Sequence, residues 1–221
     1  MRRTIHIFGG GTVQHLRNHM ALCAPAYGTT AQVLYGKLVA EPHSGAVERH
    51  LTKMADSRSK LETNQDVEQR LREVLAKPET AAIVFNVALC DFAGQIGDVP
   101  SGKYAERLRS REGKQSVKLT PAPKLLPLIK QLRPDVFLAG FKTTASASVD
   151  DQVDLASRQM AETGADVVWA NDTVTRRNVL VRPMARISPD PTVVRQWPHL
   201  VTLGTRDDLM GQLVTILKGQ V

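Results

Sequence analysis

Short apolar runs rich in β-branched residues, each bounded by glycine, proline or asparagine, alternate along the chain with segments of helical period. The runs Ile5 to Phe8, Ala31 to Tyr35, Ala81 to Leu89, Val136 to Phe141, Asp166 to Ala170, Val179 to Val181 and Leu200 to Leu203 predict strands. Few of them alternate apolar with polar residues, which is what strands covered on both faces require. A helix carrying Leu16, Met20 and Cys23 is expected over Val13 to Tyr27. Asn64 reads as an N-cap before Val67, Leu71 and Val74. Ser148 with Asp151 resembles a capping box, after which Val149, Val153, Ala156 and Met160 form a stripe that stops at Gly164. Thr205 and Asp208 repeat the device before Leu209, Leu213 and Ile216. This alternation predicts one α/β domain over residues 1–221: a doubly wound, Rossmann-like, mostly parallel sheet with helices on both faces and a basic flap.

Two stretches break the rhythm. Residues Glu41 to Lys60 are polar, hold Pro42 and Gly45, and read as a surface excursion or mobile loop. Residues Gly94 to Lys118 contain glycine and are strongly basic. The proline-rich run Ser188 to Pro198 reads as a connection.

A chain of 221 residues with 42% hydrophobic content can bury a full core. Its 29 Lys and Arg against 22 Asp and Glu leave a net charge of +7, which favours anionic partners: nucleotides, phosphorylated metabolites or nucleic acid. Two cysteines, Cys23 and Cys90, lie in apolar stretches, exclude a disulfide framework and read as core residues of a protein in a reducing compartment. Thr4 to Phe8 runs at once into glycines, so no signal-peptide core is expected, and no run approaches the ~20 apolar residues of a membrane span. A soluble cytoplasmic protein is the expectation.

The candidate chemistry gathers at strand ends. Gly9, Gly10, Gly11 and Thr12 follow the first strand, where glycines let a backbone approach phosphate and a following helix terminus would supply free N–H groups. The stretch is neither a Walker loop nor a full dinucleotide fingerprint, and a tight strand-to-helix turn is the plain alternative. His15 and His19, four apart on the expected helix, have the spacing of two metal ligands, but no third ligand accompanies them. They are assigned hydrogen-bonding or substrate contacts, and no metal residue is expected. Asn86 to Phe92 ends a strand on Asp91, and such strand ends bind ligands in open α/β sheets. Lys103, Arg107, Arg109, Arg111, Lys114 and Lys118 form a basic run whose guanidinium groups suit phosphate oxygens. Phe141 with Lys142, and Asn171 with Asp172, place polar groups at two further strand ends.

In this order the stretches resemble the phosphopantothenoylcysteine synthetase family, the carboxyl-terminal domain of pantothenate metabolism flavoproteins. The resemblance is clearest from about Ile83 to Val181. Val87-Ala88-Leu89-Cys90-Asp91-Phe92 looks like the family's Ala-Ala-Val-Ala-Asp-Tyr/Phe segment. Val117 to Leu119 and Pro123 to Leu126 look like its next strand and helix start, and Ala139 to Thr144 is similar to its Val-Gly-Phe-Lys-x-Glu segment. Val168 to Asp172 and Asn178 complete the pattern.

The resemblance implies a ligase in which a nucleoside triphosphate, CTP or ATP with Mg2+, activates the carboxylate of 4'-phosphopantothenate as an acyl-nucleotidylate for attack by the cysteine amine. It also implies a homodimer. On it, Gly9, Gly10, Gly11 and Thr12 would hold phosphate; Ala88, Asp91, Phe92, Phe141, Lys142, Asn171 and Asp172 would serve the nucleotide; and Arg107 and Arg109 would face developing negative charge. Asn18 matches the asparagine of the family's long loop with Gln14 for its arginine and Met20-Ala21 for its serines, a match that fails if the helix over Val13 to Tyr27 is continuous. Arg107-Leu108-Arg109 stands where the family has Lys-Ile-Lys, and Gln159 and Thr163 stand in place of lysines. These departures keep two alternatives open: a noncatalytic nucleotide-binding module, and a nucleic-acid-binding protein, the latter with only Tyr104 as a stacking surface in the basic run. No flavin-binding segment is evident.

Overall fold

The computed structural model describes residues 2–183 and 199–221. The proline-rich run from Ser188 to Pro198 lies outside the described residues. In chain order the elements are β1 (Thr4–Gly11), β2 (Val13–Arg17), β3 (Met20–Cys23), α1 (Thr29–Ala40), β4 (Ala46–Leu51), α2 (Asn64–Leu75), β5 (Thr80–Ala88) and β6 (Phe92–Ile96). They continue with β7 (Val117–Pro121), α3 (Leu126–Leu132), β8 (Phe137–Thr144), α4 (Val149–Thr163), β9 (Val167–Asp172), β10 (Asn178–Pro183), β11 (His199–Leu203) and α5 (Arg206–Lys218).

Seven strands make one sheet in the order β11-β10-β9-β8-β5-β1-β4. The five strands from β9 to β4 pair in parallel, while β10 and β11 run on as antiparallel neighbours. The expected mostly parallel, doubly wound α/β sheet is what the chain forms. Val67, Leu71 and Val74 of α2, Ile129 of α3, and Val153, Ala156 and Met160 of α4 bury one face together with Ile83, Phe85 and Val168. Leu34 and Leu38 of α1, with Leu209, Leu213 and Leu217 of α5, bury the other against Ile5, Ile7, Ala82, Val84 and Trp169. Odd and even positions of one strand therefore both meet apolar neighbours, which is why the strands read as unbroken apolar runs.

The capping boxes Ser148–Asp151 and Thr205–Asp208 form as expected, and Gly164 ends α4 in the left-handed conformation. The cap of α2 is Thr63 rather than Asn64: its hydroxyl accepts from the Asp66 amide, and the Asp66 carboxylate accepts in return from the Thr63 amide.

Several expectations are corrected. Val13 to Tyr27 is not a helix but the hairpin β2–β3, turning at Asn18 and His19. Leu16 and Leu22 pack instead against β6, where Gly94 is bare enough that an added Cβ would lie 2.6 Å from a Leu16 methyl. Arg17 is buried and donates to the carbonyls of Leu16 at 2.7 Å and Ile96 at 2.6 Å, tying the hairpin to β6. His15 and His19 consequently do not share a helix face, and Cys23 is exposed. Ala31 to Tyr35 is not a strand but part of α1, because Ala31, Leu34 and Leu38 fall on one helical face and are fully buried. The polar stretch Glu41 to Lys60 holds β4, an edge strand whose exposed Glu48 and Arg49 disguise it, as edge strands often are. The glycines do not form a strand-to-helix turn; they close β1 itself. No helix among the described residues is long and apolar enough to cross a membrane.

Candidate functional site

From β1 the chain crosses through α1 to β4 on one side, and from β4 through α2 to β5 on the other. Neighbouring strands thus leave the sheet edge in opposite directions at β1 and β5, opening a crevice at their carboxyl ends. A cleft of about 560 Å³ lies there. Its floor is the end of β5, from Phe85 to Leu89, and its walls bring in Gly28, Thr29 and Thr30 at the start of α1, Lys124 before α3, and Phe141, Gln159, Asn171 and Arg206.

Each wall is fixed by local chemistry. Phe141 stacks on the buried Trp169 with ring centroids 5.7 Å apart, and the Phe141 carbonyl accepts from Gln159 Nε2 at 3.2 Å. The Arg206 guanidinium lies 5.9 Å over the same Trp169 ring and donates to the Thr30 hydroxyl. Asp91 is paired with the Lys124 ammonium, and its carbonyl accepts from the Ala122 amide at 2.8 Å, closing the base of the β6–β7 ribbon. Gly28 enters α1 in the left-handed conformation, and the helix start carries neither a side-chain cap nor an acidic residue. Its first N–H groups and dipole end are therefore free for an anion, with Arg206 beside them.

Of the sequence candidates, Ala88, Asp91, Phe141 and Asn171 converge on this cleft. Gly9, Gly10 and Gly11 do not line it. All three are buried, and a Cβ on Gly9 would lie 2.3 Å from the Ala31 Cβ, so this glycine lets α1 lie directly on β1. Gly10 has φ 107 beneath Thr52, and Gly11 packs under the backbone of Ala24 and Ala26. Thr12 is buried as well: its hydroxyl donates to Asn64 Oδ1 at 2.7 Å and accepts from the Cys90 amide at 2.9 Å, holding the turn after β5 from behind.

Asp172 serves the backbone. It accepts from the amides of Thr175 at 2.7 Å, Ala147 at 2.9 Å and Val174 at 3.0 Å, and from the Thr144 hydroxyl at 2.8 Å. Burial alone would push its carboxyl up, but these donors outweigh it and hold the group well below the usual carboxylate range. Lys142, between Phe141 and Thr143 on β8, is not among the lining residues, and Phe92 opens β6 with its ring half exposed.

Arg107 and Arg109 line a second hollow, with His19, Met20 and Arg111, which shares no residue with the cleft. Asn18 stands beside them, its amide donating to the Ala105 carbonyl at 3.0 Å. The three candidates for catalysis thus gather where the hairpin turn meets the basic loop between β6 and β7. Gly28, Thr29, Thr30 and Arg206 line the cleft without being among the residues expected there from the sequence. The Gly-Thr-Thr signal before α1 was hidden by reading Ala31 to Tyr35 as a strand, and nothing local marks Arg206, which reaches the cleft from the last helix.

No protein-family model matches the chain. A stretch of 117 residues, 52% of the chain, is 26% identical to the coenzyme A biosynthesis bifunctional protein CoaBC of Thermococcus kodakarensis, and the match spans only 27% of that protein's length. Among solved structures, the DNA/pantothenate metabolism flavoprotein from Streptococcus pneumoniae superposes with a TM-score of 0.71 at 15% identity, over 98% of this chain and 99% of that one. The C-terminal domain of CoaBC gives 0.67 at 14% identity, over 98% and 94%. A Cab2 variant in complex with phosphopantothenate-cysteine gives 0.61 at 14% identity, over 98% and 86%. The resemblance read from the motifs therefore holds at the level of the fold.

Proposed function

We propose that the chain is a divergent synthetase-like ligase whose cleft binds a nucleoside triphosphate, CTP or ATP, and activates a carboxylate for attack by an amine. The observation that carries this reading is the convergence of Ala88, Asp91, Phe141 and Asn171 with the uncapped start of α1 and Arg206 around one cleft at the strand ends. In it, Phe141, Ala88 and Asp91 hold the nucleoside, while the N–H groups of Thr29 and Thr30 and the Arg206 guanidinium hold phosphate oxygens. The acid is 4'-phosphopantothenate or a related phosphorylated carboxylate, and the amine is cysteine or a similar one.

The chemistry needs a leaving group, because an amine cannot expel oxide from a carboxylate. A carboxylate oxygen attacks the α-phosphorus, the bond from that phosphorus to its bridging oxygen breaks, and pyrophosphate departs. The amine lone pair then attacks the acyl carbon, the nucleoside monophosphate leaves, and the amine gives up its proton. Mg2+ bound to the polyphosphate would neutralise part of the charge. Asp91 is the one carboxylate among the described lining residues and is already held by Lys124, so the protein's donors suit the anion rather than a resident metal. Arg107 and Arg109 supply further positive charge, and Asn18 a contact to the carboxylate or acyl phosphate. Because these three stand apart from the cleft, a homodimer that brings the loop of one chain to the cleft of another belongs to the same reading.

That separation also supports a second reading, a nucleotide-binding module without turnover. Calorimetric titration with CTP and ATP in magnesium, followed by mass spectrometry of 4'-phosphopantothenate and cysteine incubated with whichever nucleotide binds, separates the two. Binding with condensed product supports the ligase; binding without product across a panel of carboxylates supports the module. No binding of either nucleotide removes both.

A further inference from the structure

Away from the cleft, β1 and β4 bring together three potential ligand atoms. His6 on β1 lies in register with Glu48 on β4, and His50 follows two residues later on the same strand face. His6 Nδ1 is 3.0 Å from His50 Nε2 and 3.4 Å from Glu48 Oε2, and His50 Nε2 is 3.8 Å from the same carboxylate oxygen. His6 is fully buried, and His50 is nearly so. Tetrahedral coordination at about 2.0–2.1 Å separates ligand atoms by roughly 3.3 Å, in the middle of these three distances.

The hydrogen bonds around His6 fix which nitrogen is free. The Thr80 hydroxyl donates to the Val74 carbonyl at 2.6 Å, so its oxygen is left to accept from His6 Nε2 at 3.3 Å. Nε2 thus carries the proton, and the Nδ1 lone pair points at His50 and Glu48. A ring held through its far nitrogen by a buried acceptor is how metal-binding histidines are oriented.

We propose that His6, Glu48 and His50 form a binding site for a late divalent transition metal ion of the zinc class, with water in the fourth position. Two imidazole nitrogens and one carboxylate suit zinc or cobalt and not magnesium, which demands oxygen ligands. His50 also lines a solvent-open hollow of about 540 Å³ with Arg49, Leu51 and Arg70. Lys77, whose ammonium lies 3.8 Å from Glu48 Oε2 and is 41% exposed, swings out to solvent as the ion takes over the carboxylate. Bound there, the ion clamps the edge strand β4 to β1. The site lies outside the nucleotide cleft and stands or falls independently of the ligase reading.

The test uses the full chain without a histidine tag. Zn2+ titrated in competition with a chelator should bind at one ion per chain and raise Tm, Co2+ should give the visible absorption of a tetrahedral site, and Mg2+ should do neither. His50→Gln and Glu48→Gln should each weaken Zn2+ binding at least about tenfold, by analogy with the loss of groups that support a metal site, while His43→Gln leaves it unchanged. Glu48 is half exposed, so its variant decides the matter if His50→Gln fails to fold. Absence of stoichiometric Zn2+ binding, or binding that Glu48→Gln leaves intact, overturns the proposal.

Discussion

The cleft and the basic loop carry different halves of the proposed chemistry and are held by different forces. The cleft floor and two of its walls descend from a sheet whose strands are buried on both faces, so Phe141, Asn171 and the end of β5 are positioned by the core itself. The β6–β7 ribbon is packed on one strand only: β6 buries Gly94 and Ile96 against the β2–β3 hairpin, where Arg17 also holds it, whereas all five residues of β7 are exposed, with Leu119 at 51%. In the ligase reading, the cleft can therefore be preformed while the basic groups of the loop must be brought to it. Preorganisation favours binding at the first region and conformational or intermolecular closure at the second.

The largest effect that bears on this contrast is on turnover. In the ligase reading, Arg107→Ala with Arg109→Ala should lower the rate of condensed product about 100-fold while nucleotide affinity, read by calorimetry, stays within a few fold. An equal loss of affinity would place the arginines at the nucleotide and dissolve the distinction. On the rigid side, Gly9→Ala forces a methyl into Ala31 and should cost about 1–3 kcal/mol in denaturant unfolding. Nucleotide affinity should fall about tenfold, some 1.4 kcal/mol, in Asp91→Ala, whose carboxylate is exposed, with Tm unchanged; an unchanged affinity removes Asp91 from the site.

A smaller effect follows from pH. The Asp172 carboxyl is depressed when folded, so its contribution is complete above its ordinary value of 3.8 and is lost as pH falls toward the folded value. Thermal unfolding followed below pH 4 should show Tm declining more steeply in the wild type than in Asp172→Asn; parallel curves would mean that the carboxylate anchors nothing. The smallest change is expected on the ribbon, where Leu119→Ser should alter unfolding free energy by no more than about 0.5 kcal/mol. A larger loss in dilute protein would mean that the ribbon is held as firmly as the cleft.

Capping boxes at Ser148 and Thr205 and the unbroken apolar runs of the central strands were legible in the sequence, because each depends on neighbours a few residues away or on burial from both faces, although β8 continues past Phe141 to Thr144. The hairpin at Val13 to Cys23 was not, since Leu16, Met20 and Cys23 fit a helical stripe as well as two short strands, and the partners that hold it, Gly94 and Ile96 of β6 and the Ala105 carbonyl, lie far along the chain. The same limitation hid α1, whose Ala31 and Leu34 could face a core as helix or strand until Gly9 offered a bare surface for the helix to lie on.

The sequence by itself determined the doubly wound sheet and the family resemblance, because hydrophobic period, capping and strand-end residues are local. Only the tertiary structure decided that Gly9 packs against α1 and that none of the three glycines of β1 lines the cleft, that Arg206 from the last helix reaches it, and that Arg107 and Arg109 stand outside it. It alone brought His6, Glu48 and His50 together. Those outcomes depend on strand order and on which residues approach across long stretches of chain, and neither is encoded in any single window of sequence.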